Sequence, residues 1–116
     1  MNRYYCSTGE RVSEATIQSR YSRALREWYP GGHALCACGR RATETSHIVA
    51  KARCKELHKT ELIWTKENTF PACRACHMAW EAVYGEDWKN LTNIETLLSI
   101  ERKYDKEGYE KRVQGR

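Results

Sequence analysis

The chain has 116 residues, 41% hydrophobic and 30% charged, with a net charge of +5. That length supports one domain with a modest core and is too short for two. No run approaches the roughly 18 apolar residues of a membrane span. The opening MNRYYCSTGERVSE is charged without an apolar stretch, so neither an anchor nor a secretory leader is expected.

Six cysteines in such a chain read as reduced thiols of a cytoplasmic protein, and a metal site is favoured over a disulfide scaffold. The charge is uneven: residues 1–58 hold ten Lys/Arg against five Asp/Glu, and residues 59–116 hold ten against ten. A basic surplus confined to one half suits a polyanionic partner, with a merely well-solvated surface as the alternative.

In chain order, residues 13–29 (SEATIQSRYSRALREWY) predict an amphipathic helix. Ser13 is its N-cap, Ile17, Tyr21, Ala24, Leu25 and Trp28 form its apolar stripe, and Pro30-Gly31-Gly32 ends it. Arg20, Arg23 and Arg26 share a flank off that stripe, either as a grip on a nucleic-acid backbone or as a solvated face. Cys36-Ala37-Cys38-Gly39 predicts a knuckle leading into a strand over Thr43–Val49. Residues 50–66 read as polar and irregular, with Leu62-Ile63-Trp64 a candidate short strand.

Pro71 is expected to precede a helix over Ala72–Tyr84, closed by Gly85. Thr92-Asn93-Ile94-Glu95 fits a capping box for a third helix buried along Ile94, Leu97, Leu98 and Tyr104. Gly108 is expected to interrupt it before a charged tail, Tyr109–Arg116, that frays. The domain is therefore a single unit, 1–116, with an N-terminal helix, a core over about 33–84 and a helical extension over 91–113.

Cys36-x-Cys38 and Cys73-x-x-Cys76 form two short-spaced thiolate pairs, the arrangement by which two turns offer zinc a tetrahedral shell of sulfurs. A four-thiolate shell is closed, so Zn²⁺ there is structural. Gly39 gives the first turn room to aim amides at the sulfurs. Buried free thiols are the alternative. Cys6 and Cys54 have no close partner and read as ordinary thiols, and His33 and His77 lie near enough to the pairs to replace a sulfur.

Three further stretches belong together: Cys36-Ala37-Cys38-Gly39, Ser46-His47-Ile48-Val49, and Glu67-Asn68-Thr69-Phe70-Pro71-Ala72-Cys73-Arg74-Ala75-Cys76-His77. In this order and spacing the chain resembles the HNH family of His-Me finger (ββα-metal) nucleases, over Cys36 to about Glu81. The resemblance implies an α+β fold: a zinc-stabilised ββα-metal core with flanking helices. It implies a DNA endonuclease in which His47 activates water, Asn68 orients His47, and His77 binds the catalytic ion. It also implies that the helix of His77 sits against the minor groove, a product with a 5′-phosphate and a 3′-hydroxyl, and a phage or mobile-element setting with a homodimer or larger complex as candidate assemblies.

Glu81 lies one helical turn after His77, so the two share a face and are candidates to ligate one ion, Mg²⁺ or Mn²⁺ given the oxygen donor. The family commonly has Asp or His before the base, and this chain has Ser46. Three outcomes stay open: Ser46 with water completes the shell, Glu81 substitutes, or the ion is lost and the domain binds DNA without cutting. Glu44 is expected to need a bulge to reach the same ion. Candidate phosphate contacts are Arg20, Arg23, Arg26, Arg40, Arg41, Lys51, Arg53 and Lys55. The rival readings are a zinc-stabilised nucleic-acid-binding module without catalysis, and a protein–protein adaptor on a zinc scaffold.

Overall fold

The computed structural model describes residues 2–32, 34–82 and 85–115. His33 and the expected helix end at Tyr84 lie outside them. The chain is a mixed helix-and-sheet protein with two small antiparallel sheets, each of two strands. No helix among the described residues is long and apolar enough to cross a membrane.

Strands β1 (Tyr4–Tyr5) and β2 (Arg11–Val12) form a short hairpin that sequence patterning did not reveal, being only two residues each. Helix α1 follows over Glu14–Trp28, and Ser13 caps it by accepting the Thr16 N–H. Ile17, Tyr21 and Ala24 are buried as the stripe predicts.

The strand expected at Thr43–Val49 is β3, Glu44–His47. Its partner is not Leu62-Ile63-Trp64 but β4, Thr69–Ala72, in the register Glu44↔Ala72, Thr45↔Pro71, Ser46↔Phe70 and His47↔Thr69. Pro71 is tolerated because of that register. Ile48 N–H donates to the Asn68 carbonyl, which makes alternate pairs hydrogen-bonded and leaves Thr45↔Pro71 between the ladder bonds. The missing proline N–H therefore costs no bond.

Leu62 and Ile63 lie instead in a 3₁₀ turn, Thr60–Trp64, with both side chains buried. Their carbonyls are taken by the side chains of Asn68 and His47, so a strand ladder has no claim on them. The segment expected to be irregular also holds a helix, α2, Lys51–Glu56, whose one fully buried side chain is Cys54.

Because β4 occupies Thr69–Ala72, the next helix starts later than expected: α3 spans Arg74–Glu81. The third helix is α4, Ile94–Tyr104, but Asn93 is its N-cap and makes no side-chain capping bond, so the predicted box does not form. The tail does not fray. It forms α5, Lys106–Val113, whose N-cap Asp105 accepts the Gly108 N–H at 3.0 Å. A Cβ at Gly108 would meet an Asp105 carboxylate oxygen at 2.2 Å, so this cap requires glycine. Arg112 docks α5: it pairs with Glu101 at 2.9 and 3.1 Å, donates to the Trp80 carbonyl, and stacks 3.5 Å from the Trp80 ring centroid.

The core has two large apolar clusters with the β3 end between them, and a small third one at Cys36, Ala42 and Cys73. Val49 packs with Ile17, Tyr21, Leu62 and Ile63, while its neighbour Ile48 packs with Phe70, Trp80, Trp88 and Leu97. The two side chains part just beyond the end of β3, where the chain bends. His47 immediately precedes this anchored pair, which fixes where its ring emerges.

Candidate functional site

The four paired cysteines converge. One sulfur from each of Cys36, Cys38, Cys73 and Cys76 lies within 4.8 Å of the others, and Cys38 Sγ is 3.7 Å from Cys73 Sγ. A tetrahedron with Zn–S bonds of about 2.3 Å has an edge of roughly 3.8 Å, so the cluster could hold a metal such as zinc.

The first turn is closed by Cys36 N–H to the Arg40 carbonyl and Gly39 N–H to the Cys36 carbonyl, with Gly39 at φ +90°. That left-handed conformation is one glycine adopts freely. Amides face the sulfurs: the Cys76 N–H holds the Cys73 thiol down at about 7, against burial. For Cys36, burial pushes upward, but the amides of Cys38 and Cys73 together with the Cys38 and Cys76 side chains outweigh it and leave that thiol below its usual range. Both shifts favour thiolate, the form that binds metal, whereas burial and the neighbouring cysteines push the Cys76 thiol up.

The second pair opens α3, which then carries His77 and Glu81 away from the cluster. His77 and Glu81 line a cleft of about 830 Å³ together with His47, Lys51, Trp80 and Lys111. The two imidazoles expected to cooperate therefore face one space.

Their environments differ. His47 Nε2 is 2.9 Å from the Ile63 carbonyl, and its ring lies 5.1 Å from that of Tyr21. A carbonyl only accepts, so Nε2 carries the hydrogen and Nδ1 keeps its lone pair. Burial pushes the His47 pKa down to about 4, and the positive charge of Lys51 adds to the effect. The ring is neutral at pH 7.

His77 sits between carboxylates. Its Nδ1 is 2.6 Å from Glu44 Oε1, and its Nε2 is 2.7 Å from Glu81 Oε1. Glu44 meets the ring at Nδ1 and not at the nitrogen beside Glu81. The two-residue alternation along β3 puts Glu44 and Ser46 on one face, but it does not predict this contact.

Asn68 makes no hydrogen bond to the His47 ring. Fully buried, it accepts the Val49 N–H at 2.8 Å and donates to the carbonyls of Val49 and Leu62 at 3.1 and 3.2 Å. It thus ties the residues after β3 to the 3₁₀ turn whose Ile63 carbonyl holds His47. Ser46 is also fully buried, does not line the cleft, and its Oγ is the one buried side-chain polar atom without a partner among the described residues.

The basic candidates separate into two groups. Arg20 is held by Glu10 at 2.9 and 2.8 Å, Arg53 by Asp105 at 3.0 and 3.1 Å, and Lys55 by Glu14 at 2.9 Å. Arg23, Arg26, Arg40 and Arg41 are exposed. Lys51 and Arg53 line the cleft with His47, and Lys51 lies 4.9 Å above the Tyr21 ring. Lys111 of α5 lines the same cleft, a position the expected frayed tail did not suggest.

No protein-family model matches the chain, and neither does any curated protein or solved structure.

Proposed function

We propose that the chain is a metal-dependent DNA endonuclease of the HNH type, with β3, β4 and α3 as a ββα-metal core and structural Zn²⁺ on Cys36, Cys38, Cys73 and Cys76. The observation that carries this reading is the shared cleft: a neutral imidazole with a bare Nδ1 and a second imidazole beside a carboxylate line one space.

The donor set fits a hard divalent ion. His77 Nε2 and Glu81 Oε1, 2.7 Å apart, offer one nitrogen and one anionic oxygen, and Mg²⁺ or Mn²⁺ ordinarily takes few protein ligands and fills the rest with water and phosphate. When bound, such an ion supplies Lewis-acid stabilisation of charge on the scissile phosphate and its leaving oxygen. His47 accepts the proton of the attacking water at Nδ1, while the Ile63 carbonyl holds its Nε2–H and keeps the ring in that tautomer. Asn68 fixes the turn that supplies this carbonyl. Lys51 and Lys111, which both line the cleft, attract the backbone phosphates. The products are a 5′-phosphate and a 3′-hydroxyl.

Incubating supercoiled plasmid with Mg²⁺ or Mn²⁺ tests the reading. Wild type is expected to nick, and His47→Ala to lose about 10²–10⁴-fold in rate, the usual worth of a positioned acid–base group. A second reading, a nucleic-acid-binding module without catalysis, is favoured by Ser46, whose buried hydroxyl lies away from the cleft where the family has a charged ligand. Salt-sensitive DNA binding without nicking under either ion would select it.

A further inference from the structure

We propose that Arg112 is a positioning residue for the cleft: by clamping Trp80, it sets where the His77–Glu81 face of α3 stands relative to His47. The purpose of this arrangement rests on the nuclease reading, while its contacts stand apart from it.

Trp80 is the joint between the two halves of the site. Its indole N–H donates at 2.9 Å to the carbonyl of Ile48, the residue after His47. On α3 it stands one turn after His77 and directly before Glu81. A shift of Trp80 therefore moves the helix that carries His77 and Glu81 against the strand end that carries His47. α3 has eight residues, too few to be stable alone, so its pose is set by what it packs against.

Arg112 grips Trp80 in two ways. Its guanidinium lies 3.5 Å from the ring centroid, and its Nη1 donates at 3.0 Å to the Trp80 carbonyl, in the last turn of α3 where a helix runs out of its own donors. Nε and Nη2 donate to the two oxygens of Glu101 at 2.9 and 3.1 Å, so the planar fork is fixed. Trp80, Glu101 and Arg112 are buried yet line the cleft, and so form its floor. Stability is a poor reason for such a pair. Taking two charges out of water offsets most of what their attraction returns, and burial pushes the Glu101 carboxyl up in spite of Arg112. An apolar pair would hold α5 as well. What the guanidinium alone supplies is a flat plane against the indole and a bond to the end of α3.

The test uses the full-length, zinc-loaded protein in two variants, avoiding Arg112→Ala because it strands a buried carboxylate. In the double variant Glu101→Leu with Arg112→Met, the urea midpoint is expected to stay at or above that of wild type. The Trp80 indole N–H, read in ¹H–¹⁵N spectra, is expected to exchange faster with deuterium, and the His77 and Glu81 amide peaks to shift. Plasmid nicking with Mn²⁺ is expected to lose up to about 10²-fold in kcat with KM little changed, the effect of a misplacement of roughly 1 Å. Arg112→Lys keeps the charge beside Glu101 without the flat fork, so it is expected to fold like wild type and lose part of that rate. Wild-type indole exchange and kcat in Arg112→Lys, or in a folded double variant, would overturn the inference, and so would a rate that falls only in step with the urea midpoint. Indole exchange and α3 peaks that change as expected, in a protein whose wild type never nicks plasmid, would overturn only the nuclease reading.

Discussion

His47 and His77 line the same cleft in opposite company. His47 is pressed among Tyr21, Ile63 and the Val49 cluster, with a backbone carbonyl as its ring partner. His77 stands half-buried on a helix between two carboxylates. The same side chain thereby becomes two reagents. A carbonyl and a desolvated pocket keep His47 neutral with a free lone pair, whereas Glu44 and Glu81 surround His77 with negative charge that suits a cation. Their supports differ too: His47 hangs from the apolar core, and His77 hangs from a short helix that begins at the thiolate cluster.

Breaking the thiolate cluster should separate the two most strongly. Cys73→Ser, or stripping zinc with a chelator, is expected to abolish zinc binding and loosen α3, because metal binding at such a cluster is folding free energy. Hydrogen exchange should rise first across Arg74–Glu81, while the β3 end around His47 keeps more protection. Equal loss at both histidines would show that they share one support.

A smaller effect is expected on the other side. Asn68→Ala leaves the buried Val49 N–H without its partner, at a cost of about 1–3 kcal/mol unless water rescues it, while the Val49 and Leu62 carbonyls keep the Cys54 thiol and the Thr65 N–H as donors. The urea midpoint should fall and nicking should slow, with Mn²⁺ affinity at His77 retained.

The smallest effect is in pH. The folded pKa of His47, about 4, lies below the ordinary 6.5, so the unfolded chain binds more protons between those values. His47 then contributes stability above about 6.5 that is lost as pH falls toward 4. In a series of urea midpoints, His47→Gln should flatten this stretch of the stability–pH curve. The acid limb of the nicking rate should likewise lie well below 6.5.

Much of this contrast could be read from residue order, and some could not. The stripe of α1 and its Ser13 cap were legible because periodicity and capping are local. The cysteine pairs were legible because a metal cluster needs short spacings. β4 was hidden by Pro71, which normally argues against a strand and is tolerated here only by its place in the ladder. α2 was hidden because Cys54 alone is fully buried on it, and α5 because Gly108 reads as a breaker when it in fact admits the Asp105 cap. The Glu44 contact depended on a strand and a helix meeting across 33 positions of sequence, which no local pattern encodes.

The direct measurement is anomalous diffraction from crystals of the zinc-loaded protein soaked in Mn²⁺. The account predicts a manganese peak beside His77 Nε2 and Glu81, distinct from the four sulfurs, with His47 Nδ1 facing it across the cleft. A soak that leaves His77 without manganese, or a His47 ring turned so that Nδ1 points into the protein, would contradict it.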